Sequence, residues 1–585
     1  MPTIKISLAQ INPKTGDLKG NARLILKAME NARLDGAHLV VAPELCLTGY
    51  CLDEKLLVTP AFLEQNRRIL MEELLPASKG IAAVVGFIDF DRERRGPDGH
   101  RLRFNAAAVM QDGKLLQVVH KRLLPSYRYF EDKRYFAAGR RVEPVPIQTP
   151  SGVVPLGLLI CEDLWDEGYE IRPVEALSQA GAQCLLVINA SPFVASSPGR
   201  RDGKRFRRDR MIRRQVEKTG LPIIYLNTVG AGDNGKNLIV FDGMSLAFDA
   251  QGRRVLALAP FRPDQQSVVF QDGLAPPVQD PPFDREGEIF EALSMGVRDY
   301  CDKIGAFDTV LEPVSGGIDS ALGTAIAYQA VGPERLLLYN LPSRFNTSQT
   351  RGLAAQLAAN FGLEYHVVPI QEMVEAVQRG YEQHLHPVRN QVTVENLQAR
   401  LRGVLMMMEA NDRRALLLTN GNSTEIALGY ATLYGDMAGG LAAIGDLTKP
   451  DVYRLSRHVN RRWGREMIPQ GILDLAPSAE LAEAQTDPFE YDLVGPLVRE
   501  LVEEGKSPRQ LADEFAQASL DAFRYPSDVY ERHDQQSFLH LAQQLYRILN
   551  RSVYKRLQGA PIIAVTERAF GFDLRETLIN GWEED

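Results

Sequence analysis

Apolar and polar positions divide the chain into two unlike halves. In the first, short apolar runs at residues 3–10, 38–42, 81–90, 154–160, 183–189 and 221–227 predict strands separated by helical stretches. Two further pairs of runs predict hairpins: 105–110 with 114–119 around Gln-Asp-Gly, and 244–248 with 254–258 around Asp-Ala-Gln-Gly. Hairpins among alternating strands and helices imply a layered α/β fold whose pairing is mixed rather than purely parallel. The second half is more regular. Strands are expected at 308–312, 336–340, 364–370 and 415–419, and helices from 318, at 348–360 and at 396–411. That alternation predicts a doubly wound parallel sheet, which binds ligands beyond the carboxyl ends of its strands.

Between the halves, residues 274–287 (LAPPVQDPPFDREG) carry four prolines and no periodicity, as an interdomain linker does. The expected domains are 1–273 and 288–585. A chain of 585 residues needs two domains or three, and 45% hydrophobic with 24% charged residues is ordinary for a globular protein. A net charge of -8 gives no global attraction to nucleic acid or to an anionic membrane. Residues 199–214 (GRRDGKRFRRDRMIRR) are densely basic, but only Phe206 interleaves them, so they read as a solvated helix or a subunit contact. The five cysteines, Cys46, Cys51, Cys161, Cys184 and Cys301, form no CxxC pair and no zinc spacing, which suits a reducing compartment. With no signal-like start and no run of membrane-spanning length, a cytoplasmic protein is expected.

The strongest local signal is Ser315-Gly316-Gly317-Ile318-Asp319-Ser320, where a strand turns into a helix. The glycines tighten the backbone and present N–H groups, the helix start adds its positive dipole end, and the serines add hydroxyls. Such a loop cradles an anion. It lacks the lysine of the Walker-type loop, and Asp319 beside a phosphate implies a bridging Mg²⁺. In the first half Glu44 follows a strand in VVAPEL, Lys121 follows a hairpin strand in HKRLLP, and Cys161 ends a buried strand in LLICEDLW. A thiol needs a base, which a buried carboxylate can be, and an ammonium stabilises both the thiolate and an oxyanion.

SGGIDS resembles the signature of the PP-loop ATP pyrophosphatases, a Rossmann-like class that transfers AMP to an acceptor oxygen. The strings 393–403 (TVENLQARLRG), 418–425 (LTNGNSTE), 428–436 (LGYATLYGD), 446–449 (DLTK), 476–481 (APSAEL) with 485–487 (QTD), and 554–556 (YKR) follow in the order of NAD synthetase. The first half is similar to the nitrilase superfamily, an α-β-β-α sandwich with a Glu-Lys-Cys triad. Its extended strings, including ICEDLW and NASP, look like the glutaminase domain of glutamine-dependent NAD synthetases. The resemblance implies that Glu44, Lys121 and Cys161 are catalytic and that Tyr127, Glu131, Ser191 and Ser197 surround glutamine. It further implies ATP contacts from residues 315–320, Asn420 and Lys449, deamido-NAD contacts from Asn396, Glu425 and Lys555, and Mg²⁺ on Asp319 and Glu425. The chain departs from the pattern at Ser423, where family members commonly carry lysine, and at Asn420, where threonine is expected. It departs again at Arg344-Phe345-Asn346-Thr347, in place of a serine-rich stretch, and at Ser197, where a basic residue is expected. The implied reaction makes NAD⁺ from deamido-NAD⁺, ATP and glutamine in a homo-oligomer. The alternatives are an ammonia-only synthetase with a silent nitrilase-like half, another PP-loop amidotransferase such as one acting on tRNA, and a non-catalytic dinucleotide-binding protein.

Overall fold

A computed structural model describes residues 1–50, 53–482 and 485–578; Cys51 lies outside them. The chain forms two compact units, which are described separately. The first comprises Met1–Val194, Arg201–Asn234 and Ile239–Phe283, and the second Ala195–Arg200, Gly235–Leu238 and Asp284–Asp585.

The first unit holds two six-stranded sheets. One runs in the order Asp264–Phe270, Ile4–Gln10, Leu39–Val41, Ala82–Arg95, Arg101–Gln111, Lys114–His120. Its three central strands are parallel and its edges antiparallel. The other runs Arg254–Ala257, Leu246–Phe248, Ile223–Asn227, Cys184–Asn189, Gly152–Ile160, Val145–Thr149, again with a parallel centre. Strand alternation decides which side chains meet between the sheets. Ile4, Ile6 and Leu8 of the first sheet share one core cluster with Leu156, Leu158 and Ile160 of the second. The opposite faces are covered by helices. Leu18–Leu34 is capped by Asp17, which accepts from Gly20 N at 2.8 Å, and it buries Leu18, Ala22, Ile25, Met29 and Ala32 at helical spacing. Helix Lys204–Thr219 buries Ile212 and Val216 against the second sheet. The layers are therefore α-β-β-α.

In the second unit six parallel strands run Ile562–Ala564, Leu441–Ala442, Ala415–Thr419, Thr309–Pro313, Leu336–Asn340, Glu364–Val367. Numbered within this unit, the order is 6-5-4-1-2-3, so chain direction reverses between Thr309–Pro313 and Ala415–Thr419. That junction is the switch point at which doubly wound sheets bind their ligands. Helix Ile318–Val331 starts there and buries Ile318, Ala321, Leu322, Ala325 and Ile326, apolar on nearly every face because it lies inside the unit. A helical cluster after the sheet, including Tyr491–Arg499, Pro508–Ala516 and Gln535–Arg551, has its own core, in which Phe515 stacks on Phe538 at 4.6 Å.

Candidate functional site

In the first unit, Asn105 lies in strand Arg101–Gln111, and Lys121 N donates to Asn105 O at 2.8 Å, continuing the ladder beyond His120. The two side chains therefore emerge together. Lys121 Nζ donates to Glu44 Oε1 at 2.8 Å and to Asp132 Oδ2 at 2.5 Å, and Asn105 Nδ2 donates to Glu44 Oε1 at 2.7 Å. Glu44 Oε2 accepts from the Ala190 amide at 2.7 Å, and Tyr50 OH donates to Asp132 Oδ1 at 3.0 Å. Glu44, Lys121 and Asp132 are all essentially inaccessible to water. Burial pulls the Lys121 ammonium down, but the Asp132 and Glu44 carboxylates override it and hold the group well above the usual lysine range.

Cys161 leaves strand Gly152–Ile160 at φ +48°, left-handed backbone that costs on the order of 1–3 kcal/mol for a residue with a Cβ. Asp163 pins this turn. Its carboxylate accepts from Ile160 N (3.1 Å), Arg122 N (2.9 Å) and Leu123 N (2.8 Å), tying the cysteine turn to the lysine loop. Burial pushes the Cys161 thiol well above its usual range, the Glu44 carboxylate adds to this, and the Lys121 ammonium offsets part. The thiol is thus neutral at rest and needs a base as it attacks.

The residues expected around glutamine fare unevenly. Tyr127 OH donates to Glu162 Oε2 and Tyr169 OH to Glu162 Oε1, both at 2.9 Å, so one buried carboxylate next to the cysteine fixes two phenols. Ser191 is buried; its amide donates to Asn227 Oδ1 at 2.8 Å and its hydroxyl accepts from Arg208 at 3.4 Å. Glu131 pairs with Arg134 at 3.3 Å, and its neighbour Asp132 is the one on Lys121. Ser197 belongs to the second unit's segment Ala195–Arg200 and accepts from Arg524 at 3.3 Å. A further cation of the first unit, singled out by no motif, is Lys204, half-buried at the start of helix Lys204–Thr219, with Nζ 4.1 Å from the centre of the Trp165 ring. Burial pulls it down to about 8, Arg208 and Arg207 adding to this while the Glu162 carboxylate opposes it. Lys204 belongs to the basic stretch read from sequence as a solvated helix, in which its Gly-Lys step was hidden among arginines.

In the second unit a cavity of about 520 Å³ opens at the switch point, lined among others by Ser315, Asp319, Arg402, Asn420, Glu425 and Lys449. Gly316 has φ +89°, and a Cβ there would meet Thr350 O at 2.2 Å. Ser315 Oγ accepts from Gly317 N at 3.2 Å, Ser320 Oγ accepts from Ser315 N at 3.3 Å, and Ile318 is the first residue of the helix. Lys449 Nζ bridges Asp319 Oδ2 (2.6 Å) and Glu425 Oε1 (3.0 Å), and Asn422 Nδ2 donates to Asp319 Oδ1 at 3.0 Å. Burial pushes Glu425 up to about 7 against the opposing pull of Lys449. Arg402, given no role from sequence, has Leu341 O and Asn346 Oδ1 as hydrogen-bond acceptors, and burial pulls it down to about 10. Asn396 accepts from Thr432 Oγ1 at 2.7 Å, and Lys555 Nζ donates to Gly429 O and Ala431 O at 2.7 and 2.8 Å. These two flank the 429–436 loop. The Asn420 amide is turned toward Glu312 and Pro313 O.

The sequence matches the family model described as carbon-nitrogen hydrolase over residues 5–269 and that described as NAD synthase over residues 289–545. It is 34% identical to a glutamine-dependent NAD(+) synthetase of Synechocystis sp., covering 97% of each chain. It is 32% identical to one of Thermotoga maritima, covering all of both. Among solved structures, the glutamine-dependent NAD+ synthetase of Acinetobacter baumannii in complex with adenosine diphosphate superposes with TM-score 0.73 at 30% identity, covering all of both chains. That of Cytophaga hutchinsonii, at 20% identity and TM-score 0.79 over 99% of this chain and 98% of that one, shares the fold. Among the described residues, no helix is long and apolar enough to cross a membrane.

Proposed function

We propose how the two units divide the work of this chain, which belongs to the family of glutamine-dependent NAD(+) synthetases, carbon–nitrogen ligases that take ATP as a substrate. The first unit releases ammonia from glutamine. The Cys161 thiol passes its proton to Glu44 as sulfur attacks the amide carbon; Lys121 stabilises the oxyanion, and ammonia leaves with the proton from Glu44. Water, deprotonated by Glu44, then cleaves the thioester to glutamate and restores the thiol. The contacts of Lys121 with both Glu44 and Asp132 carry this reading: Asp132 gives the ammonium a second carboxylate, so Lys121 is held in place without relying on Glu44 alone.

The second unit activates the nicotinate carboxylate of deamido-NAD⁺. Its oxygen attacks the α-phosphorus of ATP, pyrophosphate leaves, and ammonia displaces AMP from the adenylate. Residues 315–320 hold the triphosphate, while Arg402 offers the fork of a phosphate binder in the same cavity. Asp319 and Glu425 flank one cation, Lys449, and two carboxylates plus phosphate oxygens suit Mg²⁺, which would neutralise the triphosphate. Asn396 and Lys555 order the 429–436 loop against the dinucleotide. Ammonia reaches the adenylate from the glutaminase half. The test is NAD⁺ formation from deamido-NAD⁺, ATP and Mg²⁺ with glutamine or ammonium: formation from both is expected, and formation from neither overturns the reading.

Lys204 is assigned to the glutamine carboxylate. Lys204→Met should raise KM for glutamine on the order of 10–100-fold, the loss of a charge-assisted hydrogen bond, and spare synthesis from ammonium. Because burial pulls Lys204 down to about 8, kcat/KM for glutamine should fall as pH rises through about 8 and Lys204 loses its charge. Unchanged glutamine kinetics in the variant would assign the carboxylate elsewhere.

A further inference from the structure

At the nucleotide cavity two hydrogen-bonded side chains each keep one buried polar atom without a partner. Glu312, in strand Thr309–Pro313, is 0% exposed. Asn420 Nδ2 donates to Glu312 Oε1 at 2.6 Å and to Pro313 O at 3.3 Å. Glu312 Oε2 and Asn420 Oδ1 are both buried without a partner. As an ionised carboxylate facing an amide oxygen, this arrangement would leave two acceptors unpaired and an uncompensated buried charge. One proton on Oε2 would remove the buried charge and supply the donor that Oδ1 lacks, and with the Nδ2–Oε1 bond already made this would close a ring of two hydrogen bonds between acid and amide. The helix above is shaped to admit the pair: a Cβ at Gly323 would lie 2.4 Å from Asn420 Oδ1 and 2.9 Å from Glu312 Oε1.

We infer that Glu312 and Asn420 form a protonated acid–amide pair that is the neutral floor of the ATP cavity, with Glu312 a positioning residue for the triphosphate loop. Glu312 lies three residues before Ser315, and Pro313 and Asn420 both line the cavity. The charged and titratable groups on the packed elements are engaged elsewhere. Asp319 is held by Asn422 and Lys449; Glu409 takes Tyr339 and Arg413; Arg402 turns to Leu341 O and Asn346. Among the described residues Asn420 is the partner of the Glu312 carboxyl; burial pushes that carboxyl up to about 8 against the opposing hydrogen bond from Asn420. Ionisation would break one bond of the ring and put a negative charge beneath the triphosphate. Asn420 therefore contributes support rather than a free ligand, which is what replacing the threonine of the family pattern achieves when a glutamate stands opposite.

This inference rests on the ATP assignment of the cavity, and the experiment separates the two. Binding of a non-hydrolysable ATP analogue with Mg²⁺ is measured from about pH 7 to about pH 9.5, the range spanning the Glu312 titration. In the parent, Kd should rise on the order of tenfold above about pH 8. Glu312→Gln, whose amide offers the same acceptor and donor at any pH, should rescue the pH 7 affinity and flatten the profile; Glu312→Leu should bind weakly throughout. A parent-minus-Glu312→Gln infrared difference spectrum at pH 7 should show the C=O band of one protonated carboxyl, over and above any from Glu425, which titrates near 7 in both proteins. Identical profiles for the parent and the glutamine variant, or no such band, overturn the pair. No binding by the parent at pH 7 overturns the ATP assignment instead, with the band then reporting on the pair alone.

Discussion

Cys161→Ala is expected to lower NAD⁺ formation from glutamine by roughly 10⁴-fold or more while leaving formation from ammonium within about twofold. The size follows from the chemistry: without sulfur there is no thioester, and Glu44 and Lys121 alone offer only polarisation and general-base help to water. Selectivity follows from the fold, since Cys161 belongs to the first unit's core and Asp319, Glu425 and Lys449 to the second. Alanine in the φ +48° position removes a thiol and keeps the Cβ, and the Asp163 bonds that pin the turn involve backbone groups and Arg122, so the variant should melt near the parent temperature. Equal loss with both nitrogen sources would end the division of labour proposed above.

Asp319→Asn is expected to lower synthesis from either nitrogen source by roughly 10²–10⁴-fold, with pyrophosphate release falling in step. Asparagine keeps an oxygen for the Asn422 amide, so the local hydrogen bonding survives. What it loses is one of the two negative charges that now share Lys449 and would share Mg²⁺. Mg²⁺ titration should show a weaker metal dependence in the variant. Glutamine hydrolysis by the isolated first half-reaction reads the other site and identifies a folded protein. An Asp319→Asn enzyme that kept the parent rate with ammonium would remove Asp319 from the metal site.

Much of the fold was legible because its signals are local. The strand expected at 336–340 is Leu336–Asn340, that at 415–419 is Ala415–Thr419, and the helix expected from 318 is Ile318–Val331. Strands Val145–Thr149 and Asp264–Phe270 escaped notice, since each is an edge strand with only two buried apolar positions, Val145 and Ile147 in one and Val268 and Phe270 in the other. Helix Lys449–Trp463 escaped as well, because its seven buried positions include Lys449, Asp451, Ser456 and His458, which read as surface.

The site divided along the same line. Glycine pairs, a strand-end cysteine and the strings around them hold their meaning in a few adjacent residues, so SGGIDS, Glu44, Lys121 and Cys161 could be named from the sequence and from the family it resembles. Partnership across the chain could not. Lys121 meets Glu44 from 77 residues away, and Lys449 meets Asp319 from 130. Nothing in the string Glu131-Asp132 says which carboxylate turns inward; the short helix Asp132–Tyr135 decides it by burying Asp132 and leaving Glu131 toward Arg134. Nothing in a run of basic residues says that Lys204 comes to lie against Trp165. Glu312 reads as an unremarked residue of an apolar strand until a second strand, 108 residues on, brings Asn420 to it. The sequence determines which groups are available and how the backbone holds them locally. Burial and the pairing of distant charges, which set protonation and decide which group can act, arise only when the sheets close.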